Sequence, residues 1–321
     1  MLLSDVASNY PFVKLSTYVW NLQYSIMWAQ FQEPNVGGQN DREFWPKKYG
    51  VFHYLDWNVS DRFSIGFFEA VTWRAVDSLY GYRGFDLNYL VPLILFRPIE
   101  YSMGSPDKMK IGLNAKLKIS DHISSYSQIL IDEMVISEYL NERGFWANKY
   151  GFQAGVKAFD AFNTRGLFLQ TEFNTASPYT YSHWEYMTNY GHYRQPLAHP
   201  LGANFYEYLL RGNYSINNVE ISAQFNYALY GDDSTGVNYG QDIYKSYNTR
   251  LRDYGNYSTQ GVKTHLAVAD VRFAYLLNRL LNLRIELGIL YRNKTSNIST
   301  DQSTWVTIGI RSSFRNIYYD F

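Results

Sequence analysis

The chain has 321 residues with 29 basic and 29 acidic side chains, no cysteine and an aromatic content of 18%. The balanced charge, without a basic segment, argues against a nucleic-acid partner, and the lack of cysteine excludes disulfides, thiolate metal sites and cysteine nucleophiles. The longest apolar run, residues 89–96, contains Pro92 and is far shorter than the roughly 20 residues of a transmembrane helix.

Alternating apolar and polar residues predict β-strands along most of the chain, because successive side chains of a strand point to opposite faces. The clearest case is residues 108–119, where every odd position is apolar and four even positions are lysine. Residues 218–229 and 281–292 repeat this pattern. Weaker strands are predicted, in chain order, at residues 18–28, 51–59, 63–73, 150–158, 167–173, 206–214, 265–275 and 306–314.

The connections between these strands alternate between short turns and long loops, as do the periplasmic turns and extracellular loops of outer-membrane barrels. Short turns are predicted at residues 58–62, 120–122, 160–166, 215–218 and 278–282. Long loops are predicted at residues 32–48, 75–107, 137–146, 175–202, 231–261 and 293–303. The longest predicted strands also match the roughly 9 to 11 tilted residues that cross a bilayer.

We therefore predict an all-β, transmembrane antiparallel up-and-down β-barrel of the bacterial outer membrane, with about 12 strands in this chain and the first one ascending from the periplasm. Tyr319 and the final Phe321 are similar to the C-terminal signal that such barrels present to the barrel-insertion machinery. That machinery and outer-membrane lipid are the expected partners. Residues 1–10 lack the basic and apolar regions of a signal peptide, so we expect that one was removed or that the chain is a fragment.

The inward face of the predicted barrel is polar and mixed in sign, which indicates a wet or plugged lumen. Opposite charges on neighbouring strands are expected mostly to pair with one another and with water. The alternative is a selectivity lining for an anionic or neutral solute. The predicted lumen-lining residues are Lys108, Lys110, Lys116, Lys118, Glu172, Glu220, Arg284 and Glu286.

Residues 175–202 form the strongest candidate for a ligand-binding loop, because sugar rings stack on aromatic planes while their hydroxyls bond to polar side chains. The alternative is that these rings pack on one another and fold the loop into the barrel mouth as a lid. Three histidines occur here, but no cysteine and no nearby carboxylate pattern supports a metal site, so we predict no metal. The glycan candidates are Tyr179, Tyr181, His183, Trp184, Tyr190, His192, Tyr193, Arg194 and His199.

Residues 75–107 form the second long loop of interest. Their apolar stretch is interrupted by Pro92 and has an ambiguous period, so we predict an extracellular loop or short helix tucked into the lumen as a constriction. No catalytic motif is found in the sequence, and we predict a non-enzymatic protein without a cofactor.

Four segments resemble a known family. They are LNYLVPLILFRPIEYSMGSPDK, FWANKYGFQAGVKAFD, LFLQTEFNTASPYTYSHW and NYGHYRQPLAHPLGANFYEYL, which begin at positions 87, 145, 167 and 189. In order and spacing they resemble the capsule-assembly (Wzi-like) outer-membrane proteins, in particular the RemB-like branch of gliding bacteria. The resemblance covers residues 80–321. It implies a barrel of about eighteen strands that interacts with surface polysaccharide. Residues 1–321 would then be a single β-barrel domain and the C-terminal part of a longer chain.

From the strands and the resemblance together we expect a barrel that binds or organises surface polysaccharide for capsule assembly, or that serves a gliding motility or type IX secretion complex at the cell surface. The subunits of such a complex are the expected partners. A general diffusion porin is the alternative, and an outer-membrane hydrolase is the third possibility.

Overall fold

The computed structural model describes residues 1–34, 45–77, 81–92 and 107–312, and most of them lie in strands because alternation and aromatic or β-branched residues favour a pleated backbone. The strands are β1 (Phe12–Val19), β2 (Leu22–Gln32), β3 (Lys47–Ser60), β4 (Phe63–Arg74), β5 (Val76–Asp77), β6 (Gly81–Tyr82), β7 (Lys108–Lys118), β8 (Ile123–Glu133), β9 (Lys149–Phe159), β10 (Leu167–Ala176), β11 (Gly191–His192), β12 (Gln195–Pro196), β13 (Phe205–Ile216), β14 (Val219–Asp232), β15 (Val262–Asn278), β16 (Leu283–Ser296) and β17 (Thr300–Arg311).

Helical structure is minor. The described residues hold one short α-helix, α1 (Ile136–Leu140), and 3-10 turns at Leu87–Leu90, Ala161–Asn163, Tyr186–Thr188 and Tyr247–Thr249. No helix among the described residues is long and apolar enough to cross a membrane.

Thirteen strands form one antiparallel sheet in the order β1-β2-β3-β4-β7-β8-β9-β10-β13-β14-β15-β16-β17, while β5 pairs with β6 and β11 with β12. Each main strand is followed along the chain by its neighbour in the sheet, so the topology is up-and-down. The predicted all-β, up-and-down antiparallel architecture is confirmed, and β1 and β17 are the edges of the described sheet.

The strand count exceeds the expected twelve because one predicted strand is a hairpin. Residues 18–28 contain the β1–β2 turn at Trp20 and Asn21, where Trp20 adopts a positive φ of 53°. The prediction of a long loop at residues 293–303 is also wrong. There β16 and β17 continue to a tight turn closed by the Ser296 N–H donating to the Ser299 carbonyl at 2.8 Å. Polar residues on both faces hid the strand period at this end.

The two faces of the sheet differ as a membrane barrel wall requires. On the outer face, large apolar side chains remain exposed, and five examples between 40% and 53% exposed are Leu113, Leu210, Phe225, Leu287 and Ile289. On the inner face, the neighbours of these five residues along the same strands include Asn, Gln, Glu and Arg, with glycine or leucine at the remaining positions. An exposed apolar band of this extent matches the lipid-facing surface of a transmembrane barrel.

A folded loop fills one end of the inner side. Residues 177–204, called the plug below, bury Tyr181, Tyr190 and Leu197 in one cluster with inner-face residues of seven strands. Because those strands are far apart in the sheet order, the sheet must curve around the plug. The strand residues of this cluster include Phe31, Phe52, Phe68, Leu130, Ala176, Phe205 and Tyr230.

Residues 81–92 lie on the opposite, outer face. The Tyr89 ring packs on Trp73 with centroids 4.5 Å apart, and the Trp28 indole N–H donates to the Tyr89 carbonyl at 2.8 Å. Trp28 and Trp73 occupy outer-face positions, since they alternate with the inner residues of β2 and β4. The prediction that residues 75–107 enter the lumen is therefore wrong for the described part, because its rings pack on outward tryptophans. Residues 93–106 lie outside the described part.

Candidate functional site

A band of polar side chains crosses the inner face from β7 to β14. We call it the polar belt, and period-two alternation places its members on the inner face. They come from neighbouring strands and lie next to one another because the strands pair antiparallel in register. The belt consists of Asn114, Tyr126, Gln128, Gln170, Glu172, Asn174, Glu207, Gln224 and Asn226.

Hydrogen bonds join the belt from strand to strand. Gln128 Nε2 donates to Asn114 Oδ1 at 2.6 Å, and Gln170 Nε2 donates to the Tyr126 hydroxyl at 2.7 Å. That hydroxyl in turn donates to Glu172. Amide groups both donate and accept, so they remain suited to exchange partners with water or with a solute.

The two belt carboxylates are held by donors from their neighbours. Glu207 Oε2 accepts from Asn174 Nδ2 at 3.0 Å and lies 2.8 Å from His199 Nε2, while its Oε1 accepts from Asn226 Nδ2 at 3.2 Å. Glu172 accepts from Asn174 Nδ2 at 2.8 Å. These bonds order the amides and occupy acceptor positions of the two carboxylates.

Two tyrosine rings lie flat on the barrel wall because glycines beneath them have no side chain. A Cβ at Gly155 would stand 2.4 Å from the Tyr126 ring, and one at Gly66 would stand 2.7 Å from the Tyr54 hydroxyl. Any larger residue would push these rings toward the lumen. The glycines therefore keep the space in front of the belt open.

The belt faces a cavity of 1330 Å³, called the vestibule below. Its wall is formed by belt residues together with Tyr54, Asp56 and Lys116, and residues 3–10 and the plug residues His199 and Pro200 border it. Lys116, Glu172 and the amides therefore meet one continuous polar space. A cavity of this size exceeds the roughly 300–1,000 Å³ of ordinary ligand pockets.

The N-terminal segment is bonded to the plug. Tyr190 donates to the Leu2 carbonyl at 2.7 Å, Tyr181 donates to the Met1 carbonyl at 3.0 Å, and the Ser4 N–H donates to the Leu197 carbonyl at 2.8 Å. Nothing in the periodicity of the sequence predicted this docking, because the contacts connect residues 180 or more positions apart.

A buried ionic cluster anchors the plug to the wall. Asp132 Oδ2 lies 2.9 Å from Lys108 Nζ and accepts from the Tyr181 backbone N–H at 2.8 Å. Lys149 lies 2.9 Å from Glu133, and the Lys110 ammonium stands 4.2 Å above the Tyr190 ring. Lys108 and Lys110 are only 3% and 1% exposed. Both lysines lie on the inner face beneath the plug, which fits the plugged alternative of the expected wet or plugged lumen.

The other predicted lumen residues lie elsewhere on the inner face. Lys118 stands at the short-turn rim, 2.7 Å from Asp121. Glu220, Arg284 and Glu286 line a separate groove on β14–β16. Sequence patterning placed all three on the inner face but could not separate the groove from the vestibule.

Most of the predicted glycan-binding residues are buried in the plug. Tyr179, Tyr181, His183, Tyr190, His192 and His199 are at most 8% exposed, and Tyr193 is half-buried. A surface glycan does not reach the buried rings while the plug stays folded, so glycan binding through them stays a prediction. Of the nine candidates, Trp184 and Arg194 are exposed.

His183 lies among cations and loses its affinity for protons. Its Nδ1 accepts from the Glu185 N–H at 3.3 Å, which fits a neutral ring. Burial, followed by the ammonium groups of Lys108 and Lys149, lowers its pKa to about 2.

We therefore expect acid to destabilise the docked plug. Below about pH 6.5 an unfolded His183 binds a proton that the folded side chain refuses, so stability falls as the pH drops, by at most about 1.4 kcal/mol per unit. Denaturant unfolding in detergent between pH 7 and 4 checks this. The variant His183→Gln should show a shallower loss than the wild type, whereas equal slopes would contradict the assignment.

No group of His, Cys, Asp and Glu suited to a metal ion occurs among the described residues. Tyr319 and Phe321, the predicted insertion signal, lie outside the described part, so that role stays a prediction.

No family model matches this sequence, and no curated protein matches it either. Among solved structures, the chain is similar to OccK10 (OpdN) of Pseudomonas aeruginosa, with a TM-score of 0.44, 10% identity and coverage of 96% of this chain and 73% of that one. The chain is also similar to OccD1 (OprD), with a TM-score of 0.44, 8% identity and coverage of 93% of this chain and 68% of that one. For CymD, described as a monoaromatic hydrocarbon channel, the TM-score is 0.35 and the identity 11%, with coverage of 96% of this chain and 83% of that one. The fold assignment rests on the sheet itself, and the Wzi-like kinship stays a prediction.

Proposed function

We propose that the protein is an outer-membrane channel through which small hydrophilic solutes pass. The observation that carries this proposal is the vestibule, a cavity of 1330 Å³ lined by the polar belt inside a wall whose outer face is apolar. The amides, hydroxyls and hydrogen-bonded carboxylates of the lumen can form the hydrogen bonds that a polar solute otherwise makes with water. The exposed apolar band requires a lipid surround, which supports location in the bacterial outer membrane.

The plug sets the size limit of this channel. Its buried rings and the N-terminal segment occupy the long-loop end of the lumen, while the vestibule lies below them. Solutes therefore have to pass between the plug and the barrel wall. Because this route is narrow, the flux should be small and should fall with the size of the solute. No step of this transport involves covalent chemistry.

Reconstitution into liposomes tests the proposal. We expect slow swelling with glycerol-sized solutes, slower swelling with disaccharides, and small single-channel currents in planar bilayers. Heat-denatured protein serves as the control. Folded protein that inserts into the bilayer and yet passes neither ions nor glycerol would contradict the proposal.

A second candidate is binding of surface polysaccharide at the mouth, which would fit service in capsule assembly or in a motility or secretion complex. Its support is the exposure of two plug residues, Trp184, which is 39% exposed, and Arg194. Glycan-array binding that disappears in Trp184→Ala would favour it, and the absence of any glycan signal for the wild type would count against it.

A further inference from the structure

We propose that a groove on the inner face of β13–β17 binds small oxyanions, meaning solutes that carry a carboxylate or phosphate group. This inference rests on the proposed function, because such solutes must reach the lumen. We call the site the arginine groove. It has a volume of 470 Å³ and is lined by Arg211, Arg272, Arg284, Arg311 and the acidic residues that pair with the last three.

The space exists because small residues occupy the wall between the arginines. Strand pairing places Ser222 and Gly288 on the two sides of Arg272, and places Ala274 beside Glu286. A Cβ on Gly309, which is opposite Glu286, would meet no atom within 4 Å. The long side chains therefore surround an open floor and do not fill it.

Cations outnumber carboxylates in the groove. Four arginines share three acids, Glu220, Asp270 and Glu286. Glu286 alone lies 3.1 Å from Arg272, 3.5 Å from Arg284 and 2.9 Å from Arg311. Arg272 also donates to Asp270 at 2.8 Å and Arg284 to Glu220 at 2.7 Å. Because each guanidinium carries five N–H donors, these three carboxylates still leave several donors of the three groups without a charged acceptor.

Arg211 supplies the excess charge. It has no ion-pair partner within the described part of the chain, it is exposed, and it lines both the vestibule and the arginine groove. In addition, the buried Nε of Arg284 makes no hydrogen bond among the described residues, although Glu286 Oε2 stands 3.5 Å from it. A set of guanidiniums that served only to tie strands together would not need an unpaired member at the junction of two cavities.

The chemistry of these donors selects the ligand. A guanidinium is planar and binds two oxygens of one carboxylate or phosphate side by side. A solute with such a group would bind between Arg211 and the Arg272–Arg284 pair and would supply the missing acceptor. Neutral and cationic solutes would gain nothing comparable there.

Titration of the refolded protein in detergent with inorganic phosphate, and separately with acetate, tests this inference by calorimetry. We expect saturable binding of at least one anion, weakened about tenfold in Arg211→Gln, since a charge-assisted hydrogen bond is worth roughly that much. Arg211→Gln breaks no ion pair, so it should fold, and Arg211→Glu should abolish binding. Arg279→Gln is the matched control, because the Arg279 side chain donates to Asn217 and Asn218 in the turn between β13 and β14 and does not line the arginine groove.

Channel measurements on the same proteins separate this inference from the proposed function. Conductance without saturable binding of phosphate or acetate would overturn the arginine groove and leave the channel in place. Saturable binding that depends on Arg211 in a protein that does not conduct would support the groove and overturn the channel. Equal binding by Arg211→Gln and the wild type would overturn the groove as well.

Discussion

Replacing the plug by a two-residue turn is expected to raise single-channel conductance several-fold. Residues 177–204 would be deleted and Ala176 joined to Phe205 through Asn-Gly. These two residues face each other in the sheet, and a two-residue Asn-Gly turn closes an antiparallel pair. The deletion removes the buried rings from the mouth and leaves the polar belt in place. Planar-bilayer recording measures the change.

Removal of a loop outside the lumen provides the control for the plug deletion. The helix α1, residues 136–140, has no buried residue, so its replacement by Gly-Ser should leave conductance unchanged. If the plug deletion folds, inserts and conducts no better than the wild type, the plug does not limit the channel and the proposed route through the vestibule is wrong.

The variant Asp132→Ala is expected to lose about 3–5 kcal/mol of unfolding free energy, the cost of leaving a buried charge without its partner. Asp132 lies 2.9 Å from Lys108 and 3.9 Å from Lys110. It also accepts the Tyr181 N–H at 2.8 Å. Its removal therefore takes a hydrogen bond from the plug and leaves Lys110 without a carboxylate partner among the described residues, while Lys108 keeps Glu133 at 3.3 Å. Urea unfolding in detergent micelles gives the free energy, and single-channel current noise reports the freed plug.

Asp121→Ala is the matched control for this variant. Asp121 also pairs with a lysine, Lys118, at 2.7 Å, but its side chain is 83% exposed. We expect no measurable change in the unfolding midpoint. A loss of stability in Asp132→Ala no larger than in Asp121→Ala would show that the buried cluster does not hold the plug.

Alternation in the sequence was enough to predict the sheet, because the outer face of β7 and β14 must be apolar while the inner face must be polar. The pattern failed where that condition failed. Trp20 forms a turn inside an aromatic stretch, and β16 and β17 are polar on both faces near residues 297–299.

The site was harder to predict because it depends on contacts between distant segments. Residues 175–202 were expected either to bind glycans or to pack as a lid. The sequence did not decide between these alternatives, and the burial of Tyr181 and Tyr190 in the structure supports the lid. Lys108 and Lys116 have the same place in the alternation. They differ because the plug covers one of them and leaves the other beside the vestibule.

Single-cysteine labelling along β14 tests the central claim most directly, and the natural lack of cysteine gives it no background. In proteoliposomes, cysteines at Gln224 and Asn226 should react with a membrane-impermeant maleimide. Cysteines at Ala223 and Phe225 should stay unreactive and instead be accessible to a lipid-soluble probe. Equal reactivity at all four positions would contradict a wall with hydrocarbon on one face and water on the other.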